Sequence, residues 1–253
     1  MLLENDLIRV TLDPGHCAAL SGFYYKPAGF DFIASSGASI PEAGVHALFQ
    51  GMRFETISTS QNESASSATL SARSQDASLK LSKTLTIKKG EIEFEISETI
   101  ENFGAQEREI LWGLRVSIGP PFLDGHNEIQ APAVSYFDPR EEPILRMRWP
   151  KLADGTDLSI TRCARPEEAK TFLLTDFGQG LCRVVSRSRK FGMEVCWDEK
   201  MFPYCWLEES AEMLYLSPFT GLPNALEEGH GTLILPGGGS ATAKFVVRIA
   251  PMM

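Results

Sequence analysis

A two-residue alternation of apolar and polar side chains is the feature that most constrains the fold. In Glu91–Ile96, the apolar residues Ile92, Phe94 and Ile96 alternate with three glutamates, which puts one set on a core and the other in water. The preceding run has Leu or Ile at positions 79, 81, 85 and 87, and Lys89–Gly90 separates the two runs. Together they predict a long antiparallel hairpin.

Strand-like runs continue along the whole chain, whereas helical periodicity is not convincing anywhere. With Gly, Pro, Asn and Asp between them, they predict an all-β sandwich of antiparallel sheets in one domain, residues 1–253. Residues 61–78 are expected to form weak edge strands, and residues 138–166 a long surface loop. The runs are Leu7–Leu12, Leu20–Tyr25, Met52–Ile57, Glu109–Ile118, Thr171–Leu174, Leu181–Ser186, Gly192–Trp197, Met213–Leu216, Thr232–Leu235 and Ala243–Ile249.

Composition and charge narrow the class of partner. The 253 residues are 43% hydrophobic and 23% charged, which is typical of a globular protein and excludes a disordered or collagen-like chain. The net charge of -9 disfavours nucleic acid and anionic membrane surfaces, so a neutral or small ligand is expected. No export signal and no apolar run of about 20 residues is visible, and we expect a cytoplasmic protein.

Common catalytic and metal-binding signatures are not found in the sequence. It has no nucleophile elbow, phosphate-binding loop or dinucleotide fingerprint, and no cofactor is expected. The four histidines, His16, His46, His126 and His230, lack the spacing of metal ligands on one element, so no metal site is expected. The five cysteines are widely spaced and are expected to be reduced thiols.

Four stretches resemble the galactose mutarotase-like family, the aldose 1-epimerases and their relatives, and together they span most of the chain. Their order along the chain is that of the family. The resemblance implies a large antiparallel β-supersandwich and the interconversion of the anomers of a pyranose sugar. The stretches are His46–Phe54, Glu101–Asn102 with Trp112–Leu123, Trp197–Asp198 with Phe202–Trp206, and Leu216–Pro223 with Leu235–Gly237.

At the two positions where the resemblance implies catalytic groups, this sequence has different residues. Arg115 replaces the histidine that serves as the acid, and Ser217 replaces the carboxylate that serves as the base. A serine hydroxyl is a poor base without a partner, and an arginine with a pKa above about 12 does not exchange protons at neutral pH. The usual mechanism is therefore in doubt, although both positions remain candidate site residues.

Two interpretations follow for the site. In the first, the pocket binds a sugar without catalysis. In the second, other groups act, for example His46 or His126 as acid and Glu208 or Glu209 as base. Arg115 would also suit an acidic monosaccharide, because its planar guanidinium matches a carboxylate, sulfonate or phosphate.

Further candidate substrate-binding residues are Trp112, Trp206 and Asp176, although each has a structural alternative. The tryptophans could line a sugar site or pack in the core, and Asp176, before Gly178, could orient a hydroxyl or form a turn. Exposed loop, turn or surface roles are also open for Arg115, His46, His126, Glu208 and Glu209. A third class of function, a structural or protein-binding β-sandwich, remains open as well.

Overall fold

The computed structural model describes residues 1–33, 44–139, 145–161, 170–210, 212–222, 225–228 and 231–251. The all-β prediction is confirmed, since apart from a 3-10 helix at Gly44–Phe49 and one helical turn, α1 (Ala225–Glu228), the regular elements of this part are strands. They are β1 (Leu2–Glu4), β2 (Ile8–Asp13), β3 (Ala19–Tyr25), β4 (Phe30–Asp31), β5 (Glu55–Gln61), β6 (Ala65–Arg73), β7 (Leu79–Lys88), β8 (Glu93–Asn102), β9 (Arg108–Ile110), β10 (Val116–Ile118), β11 (Asn127–Gln130), β12 (Ala133–Phe137), β13 (Arg146–Arg148), β14 (Ile160–Thr161), β15 (Lys170–Phe177), β16 (Leu181–Ser186), β17 (Phe191–Cys196), β18 (Tyr204–Glu209), β19 (Leu214–Phe219), β20 (Leu233–Leu235) and β21 (Ser240–Pro251).

Within the described ranges, two large antiparallel sheets dominate the architecture. The nine-stranded sheet has the order β14-β11-β16-β17-β21-β8-β7-β6-β5, and the six-stranded sheet the order β10-β19-β18-β15-β12-β13. A four-stranded sheet, β1 to β4, and the pair β20-β9 complete them. One large apolar core draws on both large sheets and on the four-stranded sheet, as in a sandwich whose facing sides are hydrophobic.

The predicted hairpin is present and extends further than expected. β7 and β8 pair antiparallel from Leu79 opposite Asn102 to Ile87 opposite Phe94. Their alternate side chains are buried, and the Phe94 ring packs edge-on against Phe23 of the four-stranded sheet, with the ring centroids 4.9 Å apart. The predicted alternation therefore places this hairpin in the middle of the core.

Local predictions are wrong at three places along the chain. The run Glu109–Ile118 is not one strand, because β9 ends at Ile110 and β10 begins at Val116. The segment 138–166 is not only a surface loop, because its described part includes β13 and β14. Trp149 and Leu158 are buried there, so this segment contributes to the core.

Residues 61–78, predicted as weak edge strands, contain β6, which pairs with β5 on one side and with β7 on the other and is therefore not an edge strand. All residues of β5 are exposed, and this strand is the edge of the nine-stranded sheet, next to β6. Of the five cysteines, Cys163 lies outside the described residues, and the other four form no disulfide with one another. In the part of the chain that the structure covers, no helix is long and apolar enough to cross a membrane.

Candidate functional site

The segment between β9 and β10 brings Arg115 to the edge of the six-stranded sheet. Leu114 donates its backbone N–H to Pro218 O over 3.1 Å, and Gly113 bridges to Phe219 of β19. A Cβ on Gly113 would lie 2.3 Å from Pro218 O, so this close approach requires a glycine. Arg115 therefore directly precedes β10, packed against β19.

The strand register places a set of polar side chains on one side of the six-stranded sheet, which we call the site face. Ser117 lies opposite Tyr215, and continuing that register by two residues places Arg115 opposite Ser217. On the next strand, Trp206 lies opposite Ser217 and Glu208 opposite Tyr215. Because side chains directly across a strand pair share a face, the site face comprises Arg115, Ser117, Trp206, Glu208, Tyr215 and Ser217.

An ion pair and a stacked ring order the site face. The Arg115 guanidinium donates to the Glu208 carboxylate and lies over the Tyr215 ring, 4.2 Å from its centroid. The Trp206 ring stacks on Phe219 with the centroids 4.2 Å apart. The arginine and the tryptophan are thus both held in fixed orientations.

Three buried polar atoms on the site face have no hydrogen-bond partner among the described residues: Arg115 Nε, Ser117 Oγ and Ser217 Oγ. The two serines are almost fully buried, with 1% and 0% of their surface exposed. A buried polar group without a partner is costly, and most such groups in folded proteins are paired. These three atoms therefore keep unused hydrogen-bonding capacity.

A small cavity joins the site face to a second group of polar residues. It is lined by Cys17, Ala19, Leu20, His46, Lys83, Leu114 and Arg115. The 3-10 helix carries His46 and is fastened to the segment before β10, because Val45 N–H donates to Leu111 O over 2.6 Å. Gly44, with φ of 60°, makes this close contact possible.

The buried carboxylate of Glu98 holds the second group together, and we call Glu98, Lys83, His46 and Trp112 the charge cluster. Lys83 Nζ lies 2.9 Å from Glu98 Oε1, and Trp112 Nε1 donates to Oε2 over 2.9 Å. His46 Nε2 lies 3.3 Å from both carboxylate oxygens. Burial alone would raise the pKa of Glu98, but the Lys83 and His46 charges and the hydrogen bonds lower it overall.

Lys83 and Glu98 were not among the predicted site residues, although the sequence carries a signal for them. Both residues occupy the apolar side of the alternation, Lys83 between Leu81 and Leu85 and Glu98 between Ile96 and Ile100. A charged residue at a core position of a strand requires a partner. Two such residues in adjacent strands of a hairpin indicate a buried ion pair.

Of the residues singled out from the sequence, the structure gathers Arg115, Glu208, Ser217 and Trp206 on the site face and His46 beside it. Trp112 belongs to the charge cluster. It is fully buried, with its ring against Phe202, so its contacts are those of a core residue.

The other three candidates lie elsewhere. His126 is exposed in a turn, where its backbone N–H donates to Asp124. Asp176 pairs with Arg146 of β13, at the edge of the six-stranded sheet opposite β10. Glu209 points away from the site face, since it follows Glu208 in a strand, and it lines a separate cleft.

The described residues contain no group of three His, Cys, Asp or Glu side chains that could hold a metal ion. His230 lies outside the described residues.

Neither comparison by sequence identifies a relative, since no family model matches the chain and no curated protein matches it. Solved structures do match. One is a putative aldose 1-epimerase from Escherichia coli, with a TM-score of 0.74 at 13% identity over 99% of this chain and 98% of that one. Two galactose mutarotase-like proteins also match with a TM-score of 0.74. The one from Lactobacillus casei is 13% identical over 98% of this chain and 99% of that one. The one from Clostridium acetobutylicum is 9% identical over 99% of this chain and 95% of that one. The chain therefore has the galactose mutarotase-like fold, as its sequence motifs predicted.

Proposed function

We propose that the protein binds a pyranose sugar at the cavity beside His46 and Arg115 and interconverts its anomers. The observation that carries this proposal is the imidazole of His46 in the cavity wall, whose Nε2 lies 3.3 Å from the buried carboxylate of Glu98 behind it. A second carboxylate, Glu208, is tied to Arg115, which lines the same cavity. Oriented acid–base groups beside a cavity are typical of catalytic sites.

Anomer interconversion requires two proton transfers. A base takes the proton from the anomeric hydroxyl while an acid protonates the ring oxygen, and the bond between C1 and the ring oxygen breaks. The open-chain aldehyde rotates about its C1–C2 bond, and the reverse transfers close the ring on the other face. We assign the acid to His46 and the base to Glu208. Arg115 contributes hydrogen bonds but transfers no proton.

A sugar-binding protein without turnover is the second candidate. The unpartnered atoms of Arg115, Ser117 and Ser217 favour it, because one N–H group and two hydroxyls suit the oxygen atoms of a sugar. The pairing of Glu208 with Arg115 favours it too, since a carboxylate engaged by a guanidinium is a weaker proton acceptor.

An acidic pyranose should bind better than its neutral parent. Glu208 contacts Nη2 of Arg115, while Nε has no partner among the described residues. A guanidinium carries five N–H donors in one plane, so it can hold Glu208 and an anionic substituent together. Binding a uronate and its parent hexose equally well would contradict this preference.

Proton NMR on freshly dissolved single anomers tests both candidates at once. The panel is glucose, galactose, glucuronate, galacturonate and glucose 6-phosphate. We expect the protein to accelerate equilibration of at least one sugar, and His46→Gln to slow that reaction at least about 100-fold, the usual contribution of a general acid. His126→Gln is the matched control, because His126 is exposed and does not line the cavity, and it should keep full activity.

The other outcomes separate the candidates. Line broadening of a sugar without faster equilibration would establish binding alone and reject the epimerase. Neither broadening nor acceleration across the panel would reject both and favour a structural or protein-binding role. Equal loss of activity in both histidine variants would argue against the role of His46.

A further inference from the structure

Two opposite charges lie inside the core because the hairpin register puts them there. Lys83 of β7 and Glu98 of β8 are directly opposite one another, at positions where their neighbours in the alternation are leucine and isoleucine. Only 3% of Lys83 and 0% of Glu98 is exposed. A buried ion pair is often no more stabilising than an apolar pair of similar size, so its presence calls for another reason.

The contacts around Glu98 suggest that reason. Lys83 holds one carboxylate oxygen and the Trp112 indole the other, each at 2.9 Å. Lys83 is held in turn by Cys17 O at 3.4 Å. The carboxylate is therefore fixed in position and charged, and a charged carboxylate only accepts hydrogen bonds.

We propose that Glu98 is a positioning residue that accepts the Nε2–H of His46 and thereby makes Nδ1 the nitrogen that exchanges protons. As the acid, His46 starts as an imidazolium with a proton on each nitrogen and gives up the one on Nδ1. The neutral ring that remains carries its proton on Nε2, so an acceptor there fixes the tautomer of the neutral form as well as the ring orientation. Lys83 and Trp112 act through Glu98 by holding its carboxylate. The tautomer is a property of the free protein, whereas its use in catalysis rests on the proposed function.

The charged groups that face His46 come from three parts of the chain. Lys83 belongs to β7 and Glu98 to β8. Arg115, which precedes β10, lines the same cavity as His46. Of these, Glu98 is the group that contacts the ring in an ion pair. The remaining cavity lining is Cys17, Ala19, Leu20 and Leu114.

Long-range proton–nitrogen NMR of the histidine rings tests the proposal without any sugar. The His46 signals are assigned from their loss in His46→Gln. In the wild type we expect the tautomer protonated on Nε2. In Lys83→Met/Glu98→Met, which removes both charges and keeps the side chains long, we expect that preference to be lost.

The matched control is Lys80→Met/Glu101→Met. Lys80 and Glu101 are also directly opposite on β7 and β8 and form an ion pair of 2.8 Å, but they lie on the solvent side of the hairpin. This variant should keep the wild-type tautomer.

Protonation of His46 on Nδ1 in the wild type would overturn the proposal, and so would an unchanged tautomer in Lys83→Met/Glu98→Met. If that variant does not fold, the wild-type spectrum alone decides. Where turnover is observed, Glu98→Gln should lower kcat more than it raises KM, which loss of sugar binding alone would not do. A confirmed tautomer without turnover would reject the epimerase and leave the positioning role intact.

Discussion

At the scale of single residues, the site face has buried polar atoms that find no hydrogen-bond partner in the described part of the chain. Ser217 is fully buried and opposite Arg115, yet its hydroxyl has no partner within the described ranges. A buried hydroxyl without a hydrogen bond costs about 1–3 kcal/mol. Such a cost at a binding site is offset only when a ligand supplies the missing bond.

Ser217→Ala should therefore stabilise the free protein by roughly 1 kcal/mol and weaken sugar binding. Ser74→Ala is the control, because the Ser74 hydroxyl is also buried but donates to Asp76 over 2.6 Å, and this variant should be less stable than the wild type. Urea denaturation measures the change in stability. Titration with the sugar whose NMR signals broaden in the presence of the protein measures the change in binding. A loss of stability in Ser217→Ala would show that its hydroxyl is paired in the free protein.

At the scale of elements, the segment between β9 and β10 links the sheet edge to the site. Its backbone runs so close to β19 that a Cβ on Gly113 would lie 2.6 Å from the Phe219 ring. The Phe219 ring stacks on Trp206. Arg115 lies two residues after Gly113. The position of Arg115 relative to Ser217 thus depends on the packing of this segment.

Gly113→Ala should destabilise the protein by about 1–3 kcal/mol, as overpacking in a core does, and should also weaken sugar binding. Gly178→Ala is its control, since a Cβ there meets nothing within 4 Å. Both variants can be compared by urea denaturation. Equal stability of the two would mean that the contact with Phe219 is relaxed in solution.

At the scale of the whole molecule, the charge cluster should make stability depend on pH. Burial raises the pKa of Glu98, but the charges of Lys83 and His46 and the hydrogen bonds from His46 and Trp112 together lower it below its usual value in the folded protein. A carboxyl with a lowered pKa stabilises the fold above its unfolded pKa of about 4.3, and this contribution is lost as the pH falls towards the folded pKa. The free energy of unfolding should therefore fall on acidification below about pH 4.

Urea denaturation at a series of pH values measures that slope. Lys83→Met/Glu98→Met should show a shallower fall in acid than the wild type, while Lys80→Met/Glu101→Met should follow the wild type more closely, because its ion pair is partly exposed. Parallel curves for the wild type and the Lys83/Glu98 variant would contradict the prediction.

The sequence predicts the fold better than the site. Alternation is a local property, so it located the hairpin of β7 and β8. It failed at Glu109–Ile118, where Gly113 interrupts the run to let β19 approach, and a glycine inside a strand pattern is the signal for such an approach.

The site depends on contacts between distant segments. The motif resemblance singled out Arg115 and Ser217, which the structure places opposite each other. His126, Asp176 and Glu209 lie away from the site face. Their positions depend on the order of the strands in the sheet and on which face of the sheet each side chain occupies, and spacing along the chain does not determine the strand order. Lys83 and Glu98 were visible only as exceptions to the alternation.

The register of Lys83 with Glu98 also has a consequence for the order of folding. Only 15 residues separate them along the chain, so the hairpin can bring the two charges together before the rest of the molecule assembles, since local contacts close faster than distant ones. His46 and Trp112 join from other segments. We expect the ions to enter the core already neutralised, so that docking the sheets never requires the transfer of a lone charge out of water.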